Sequence, residues 1–448
     1  MSLAEKRIFE EKAAFILNKA KALGADEASV SLHQTEGASV DWRMGAIEGI
    51  SREQSLNIGI AVLKNKAQGM STLSDWSEAA LEAGVAAAIN AASFTEADEH
   101  YGLPSPEQYA QITAEQLAEL NCDSGELPDS AWLEAQAEAC EQAALAFDKR
   151  IVMSDGASAD AMRSYQYKAT SNGFSAGISR SQVSLSVSVL AREDNDQQSD
   201  YDWDSACYRQ DLRLADNIGR VAAERALAAL QPKNIQTGSY PVIFSPEMAT
   251  GLFGHLLATL GGRAQYRQLS FLNDSLGQKI LPEWLSLLEK PYLPKSNVST
   301  LFDSDGLPPA QGALIENGRV VHYLLSLYSA RRLNLSPTGN ASGVHNLCFE
   351  ADKTYALPPQ QLYQTMKRGL IVTRLMGQGV NTLTGDYSRG ASGFWVENGE
   401  VAYPVDGLTI AGNLRDMYQG IQAIGTDVDT KRNIRAPSIL LSPMTVAQ

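Results

Sequence analysis

The chain has 448 residues, of which 44% are hydrophobic and 20% charged, and a formal net charge of −15. A single hydrophobic core stops growing near roughly 250–300 residues, so two lobes are expected. The negative charge disfavours nucleic acid, whose binders carry a basic face. With no apolar run near the roughly 18 residues of a membrane span and no signal-peptide pattern, a soluble, cytoplasmic protein is expected, with no membrane partner.

Apolar residues at Phe9, Ala13, Ile16, Ala20 and Leu23 follow a three-and-four spacing, which predicts a helix closed by Gly24. Short β-like runs follow at Ala28 to His33, Ser39 to Arg43, Asn57 to Leu63 and Gln68 to Leu73, with a turn at Asn65. Ser74 is the expected N-cap of an Ala-rich helix ending at Ala92. Residues 93–128, rich in proline and acidic groups, read as a crossing loop before a helix from Asp129 to Phe147. Val183, Leu185, Val187 and Val189 alternate with serines, the mark of a half-buried strand. An acidic loop, Glu193 to Asp204, and a helix from Asp211 to Leu230 complete the first half.

The polar, Pro-containing stretch Gln231 to Ser239 places the lobe boundary at 232/233. Beyond it the chain is richer in glycine, with Asn317-Gly318 and Asn398-Gly399 as hairpin turns, because type I′ turns need positive φ at both central residues. The expected fold class is α+β. Residues 1–232 form an N-terminal α/β lobe with an antiparallel sheet, and residues 233–448 a β-rich, barrel-like lobe.

Most motifs that carry chemistry have a plainer reading here. Gly173 to Gly177 matches G-x-S-x-G, but a nucleophile elbow needs a strand before and a helix after; a strand follows, and Asn172-Gly173 reads as a hairpin turn. Cys122, Cys140, Cys207 and Cys348 form no CxxC pair and read as reduced thiols. The five histidines include no H-E-x-x-H. His345 and Cys348 stand close as H-x-x-C, and His255 stands alone on an apolar helix, where a hydrogen-bonded structural role is the expectation. Glycine density around Gly377 to Gly379 and Gly385 to Gly393 implies positive φ or close backbone approach, either between strands or to a bound peptide. No GxxxxGK[ST] supports nucleotide binding.

Four segments carry a resemblance over nearly the whole chain: Gly251 to Leu256, Phe271 to Gly277, Gly385 to Glu397 and Thr409 to Asn413. They resemble the PmbA (TldE) branch of the TldD/PmbA metalloproteases, formerly labelled modulators of DNA gyrase. The resemblance implies an α/β lobe followed by a β-rich lobe, and a heterodimer of the two branches. It also implies that the TldD branch holds zinc with H-E-x-x-x-H and a cysteine near the C-terminus, a donor set suited to a metal that lowers the pKa of its bound water.

Laid on this chain, that motif falls on Ser245, Pro246 and Thr250, and the segment Asn433 to Ser438 has no cysteine. No catalytic residue and no metal ligand are therefore expected in this chain; zinc would sit in a TldD-like partner. The expected role is a subunit that completes the partner's cleft for unfolded peptides, including microcin precursor leaders and antitoxins, with the isolated chain inactive and a homodimer possible when it is alone. His255, Asp386, Tyr387 and Arg389 are the candidates for the substrate cleft. Two alternatives are a peptidase with a rearranged site of its own, and a regulatory binding protein of a toxin–antitoxin or gyrase system.

Overall fold

The structure is a computed structural model that describes residues 3–448, with side chains from Lys6 onward. Helix α1 (Leu3–Ala22) buries Phe9, Ala13, Ile16 and Ala20 of the predicted stripe, while Leu23 falls past the helix end and is exposed, and Gly24 follows at φ +83°. The four short β-like runs merge into three strands, β1 (Glu27–Arg43), β2 (Ala46–Lys64) and β3 (Ala67–Leu73). The turn between β2 and β3 uses Asn65 and Lys66, both at positive φ. Helix α2 (Glu78–Ala92) is capped by Ser77 rather than Ser74. Asp75 accepts from both the amide and the hydroxyl of Ser77, a local turn that delays the first helical residue.

The 93–128 segment is not all loop: α3 (Ala114–Leu120) forms there behind a Thr113–Gln116 capping box. Helix α4 (Ser130–Leu145) starts at the Asp129 cap. Strands β4 (Ile151–Thr170), β5 (Ser175–Glu193) and β6 (Asp196–Ala206) follow, then α5 (Ala215–Ala228). β6 replaces the expected acidic loop. The six strands make one antiparallel sheet in the order β3-β2-β1-β4-β5-β6. On one stretch of its covered face α1, and α2 through Val85, pack against Val30 and Ile60. The other packs α4 and α5 on Leu133, Leu185, Val187 and Ile218. The serines between the β5 valines sit on the opposite, partly exposed face.

The second lobe begins with β7 (Gly238–Phe244) and α6 (Pro246–Leu260). Its other strands are β8 (Leu285–Glu289), β9 (Gly312–Glu316), β10 (Arg319–Val320), β11 (Leu347–Ala351), β12 (Ala356–Leu357), β13 (Gly369–Met376), β14 (Asp386–Glu397), β15 (Glu400–Asn413), β16 (Ile421–Gly425), β17 (Ile434–Arg435) and β18 (Ile439–Ala447). β7 pairs in parallel with β13 and antiparallel with β18, so β7, β13, β14, β15 and β18 close into a five-stranded barrel. Closure removes the free edges that an open sheet exposes. The barrel packs Phe244, Trp395, Ile410 and Leu441 together with Phe253 of α6 in one core. A smaller sheet, β10-β9-β8-β11-β17, lies beside it. The Asn317-Gly318 and Asn398-Gly399 turns form as expected, with φ of 49° and 77°, and of 53° and 78°.

Candidate functional site

The chain folds so that the end of one barrel strand opens on a cleft. β7 is buried through Val242, Ile243 and Phe244, and then delivers Ser245, whose amide donates to Val372 O at 3.0 Å. Pro246 is the first residue of α6, where its fixed φ suits a helix and its missing N–H costs nothing. A cleft of about 1060 Å³ runs from Ser245, Pro246, Glu247 and Met248 across to β6 and α5 of the first lobe. Residues 427–431 and Arg435 form another wall.

Thr250 lies one helical turn further along α6. Its hydroxyl bonds Pro246 O at 3.1 Å and Ile434 O at 3.3 Å, so it ties α6 to β17. The motif positions and the C-terminal segment that the resemblance aligns with zinc ligands are therefore brought together here. The donors present do not suit a zinc of the family type, which takes imidazole and thiolate. Proline offers no side-chain donor, and the Thr250 hydroxyl is already held by backbone carbonyls. Among the described residues, no group of three or more His, Cys, Asp or Glu is disposed to hold a metal.

The remaining histidines lie elsewhere. His345 is buried and held by Glu289, its amide at 2.8 Å and its Nδ1 at 2.9 Å from Oε1, while Cys348 donates to Asn346 O. His255 packs its ring edge against Tyr387, with centroids 6.3 Å apart. Burial, and then the charge of Arg389, hold its pKa below the ordinary value. His33 on β1 is lowered in the same way, first by burial and then by Arg180.

A histidine lowered in the fold resists a proton that the unfolded chain accepts near pH 6.5, so stability falls as pH drops through 6.5. Replacing His33 and His255 by glutamine is expected to flatten the denaturant midpoint between pH 7 and pH 5; an unchanged slope would place the acid sensitivity in other groups.

The four residues expected to line the substrate cleft do not line this one. Tyr387 is 2% exposed and packs in the barrel core, its pKa pushed up to about 12 by burial. Asp386 accepts from the Thr384 hydroxyl at 2.6 Å. Asp386 and Arg389 stand three apart on a strand and so point to opposite faces, and no ion pair joins them. His255, Tyr387 and Arg389 do group together, away from the cleft. From the glycine-rich run, Ser392 and Gly393 are the residues that line the cleft.

Asp200 and Asp204 on the cleft wall come from a strand that reads as loop in the sequence. Asp202 of β6 is 1% exposed and faces Arg213 at 2.8 Å and Arg225 at 3.7 Å; Arg225 also meets Glu247 of α6 at 3.4 Å. β6 is a sheet edge, and the outward carbonyls of Ser199, Tyr201 and Trp203 accept from Arg374, Arg225 and Lys431 at 2.9, 3.2 and 3.2 Å. Arg213 reaches the Trp203 carbonyl as well, at 2.7 Å. Lys431 and Arg432 both lie over the Trp203 ring. Cationic side chains from both lobes thus cap an edge that would otherwise template another strand. The legible signal was the alternation Asp200-Tyr201-Asp202-Trp203-Asp204, a period of two with the acids inward.

Comparison with known proteins bears on the whole chain. Residues 28–92, 123–230 and 237–448 match domain 1, the central domain and the C-terminal domain of the PmbA/TldA metallopeptidases. A protein of Escherichia coli O157:H7 named Metalloprotease PmbA is 40% identical over 444 residues, covering 99% of this chain and 97% of the relative. The chain belongs to the PmbA/TldD metalloprotease family. A Haemophilus influenzae homologue of PmbA is 36% identical over the same shares of both chains. A crystal structure from Bacteroides thetaiotaomicron, described as a candidate modulator of DNA gyrase, superposes with a TM-score of 0.91 at 25% identity over 98% of each chain. TldE from Thermococcus kodakarensis shares the fold, with a TM-score of 0.84 at 20% identity over 98% of this chain and 100% of TldE.

Proposed function

We propose that this PmbA/TldD-family chain is the non-catalytic subunit of a cytoplasmic metallopeptidase, and that its interlobe cleft aligns flexible peptides for a zinc-bearing, TldD-like partner. The observation that carries this reading is the state of the motif positions. Ser245 and Pro246 open on the cleft, and Thr250 is tied to the segment that would supply a third ligand. At the positions that the family motif aligns with zinc ligands, this chain offers no imidazole or thiolate.

Unfolded peptides, microcin precursor leaders and labile antitoxins are the substrates that the resemblance suggests. An extended peptide entering the cleft meets the β6 edge, and strand addition there would exchange the Arg374, Arg225 and Lys431 caps for peptide amides, with little demand on sequence. The negative net charge favours protein over nucleic acid as partner.

The test is cleavage of an unfolded, casein-like substrate by this chain, by a TldD-like chain and by both, with zinc measured in each. Activity and stoichiometric zinc are expected only where the partner is present, and most strongly in the mixture. The name metalloprotease carried by the Escherichia coli relative favours a second reading, cleavage by this chain alone. Chelator-sensitive activity in the isolated chain would establish it. The gyrase-modulator description of the Bacteroides structure favours a regulatory binder, which stoichiometric binding without proteolysis would support.

A further inference from the structure

Cys122 follows α3, and Cys207 follows β6, 85 positions later. Ser181 of β5 holds both backbones: its amide donates to Cys122 O at 2.9 Å and its hydroxyl to Cys207 O at 2.8 Å. Ser181 thus holds the two cysteines side by side, near enough for each sulfur to act on the other's titration. They are 3% and 1% exposed, and Cys207 forms part of the cleft wall.

Each thiol also fastens the two lobes together. Cys122 Sγ donates to Ser296 O at 3.3 Å, and Cys207 Sγ to Asn297 Oδ1 at 2.7 Å, both on the second-lobe segment 293–303. The Lys295 amide to Leu120 O and the Lys295 ammonium to Asp211, at 2.8 and 2.7 Å, are the neighbouring ties.

Arg180 lies close enough for its charge to act on both sulfurs, and its guanidinium donates to Ser299 O. The Cys122 thiol is drawn down to about 7, first by the neighbouring Cys207 and then, against burial, by Arg180. Cys207 is pushed up by the same contact. Cys140, pushed up to about 12 by burial, lacks such a neighbour, and burial raises Cys348 as well. A thiolate beside a cation and a second thiol is the arrangement of an oxidisable pair.

We propose that Cys122 and Cys207 are an oxidative modification site, closing to a disulfide that releases the 293–303 segment from the first lobe. With a glutathione-type disulfide as oxidant, the Cys122 thiolate attacks one sulfur, the oxidant's S–S bond breaks and a thiolate leaves. The Cys207 thiolate then displaces the second thiolate from the mixed disulfide. Both S–H protons are lost, and with them the donors to Ser296 O and Asn297 Oδ1, so oxidation removes two ties between the lobes.

The native chain is equilibrated with oxidised glutathione, its remaining thiols are alkylated, and its peptides are mapped by mass spectrometry. A Cys122–Cys207 linked peptide is expected, with free thiols falling from four to two. Cys122→Ser and Cys207→Ser each abolish the link, and Cys348→Ser leaves it. Four free thiols in the folded chain, a link through Cys140, or glutathione adducts at Cys348 alone would overturn the proposal. Hydrogen exchange is read on the same wild-type samples, so the outcome does not depend on whether a variant folds. Faster exchange across 293–303 after oxidation is expected; unchanged exchange would sink the release step.

Discussion

Gly393→Ala is expected to destabilise the protein by about 3 kcal/mol, the upper range for forcing an atom into packed structure. A Cβ built on Gly393 falls 1.9 Å from Ile371 O and 3.1 Å from the Thr373 amide nitrogen. Both are backbone of β13, and no side chain can rotate away to make room. The register shifts on both sides of this point, at Val372/Arg374 of β13 and at Ala391/Gly393 of β14. In an open sheet the two strands would separate slightly. Here β13 is also paired to β7 and β14 to β15, so a separation breaks ladders around the ring. Gly251→Ala is the control, since its Cβ would meet nothing within 4 Å on α6. There alanine is expected to gain about 0.5–1 kcal/mol from its higher helix propensity. Urea unfolding of the two variants beside wild type checks both signs, and a Gly393→Ala loss below about 1 kcal/mol would show that β13 yields.

What the sequence made legible was local. The α1 stripe, the β5 alternation and the Asn-Gly turns each depend on residues within a few positions, and each formed where expected. β6 was missed despite its period of two, because buried aspartates read as loop until Arg213 and Arg225 arrive from beyond the strand to pair with them. The barrel-like lobe was expected as a whole, but not which strands close it: β7 and β18 meet across about two hundred residues, and nothing local marks them as neighbours.

The site divides along the same line. Ser245, Pro246 and Thr250 were found through the family motif. Their meeting with Ile434, and the cleft opposite β6, needed the fold. Tyr387 was drawn in as cleft lining by glycines whose space goes to strand contact: at Gly379 a Cβ would fall 2.1 Å from Ser388 O, and at Gly385 2.9 Å from the Asn413 side chain.

Arg213→Ala is expected to cost about 3 kcal/mol, the low end of the penalty for leaving a buried charge unpaired, because Asp202 is 1% exposed but the Arg213 side chain is 34% exposed on the cleft. Asp202 would keep Arg225 at 3.7 Å, but that guanidinium is shared with Glu247 and the Tyr201 carbonyl. The Trp203 carbonyl would also lose its shortest donor, at 2.7 Å. Most of the cost comes from leaving the buried Asp202 carboxylate without a close cation. A double-mutant cycle in urea separates that term from lost packing. In an Asp202→Asn background the same arginine removal leaves only the Asp204 carboxylate, which still accepts from the residue-213 amide at 2.8 Å, and is expected to cost about 1–2 kcal/mol. Equal costs in the two backgrounds would mean that the pair is a bystander and that Arg213 acts only through the Trp203 carbonyl. A coupling of about 1 kcal/mol or more would mean that the cleft wall depends on this charge pair, because β6 has no further strand to hold its outer edge.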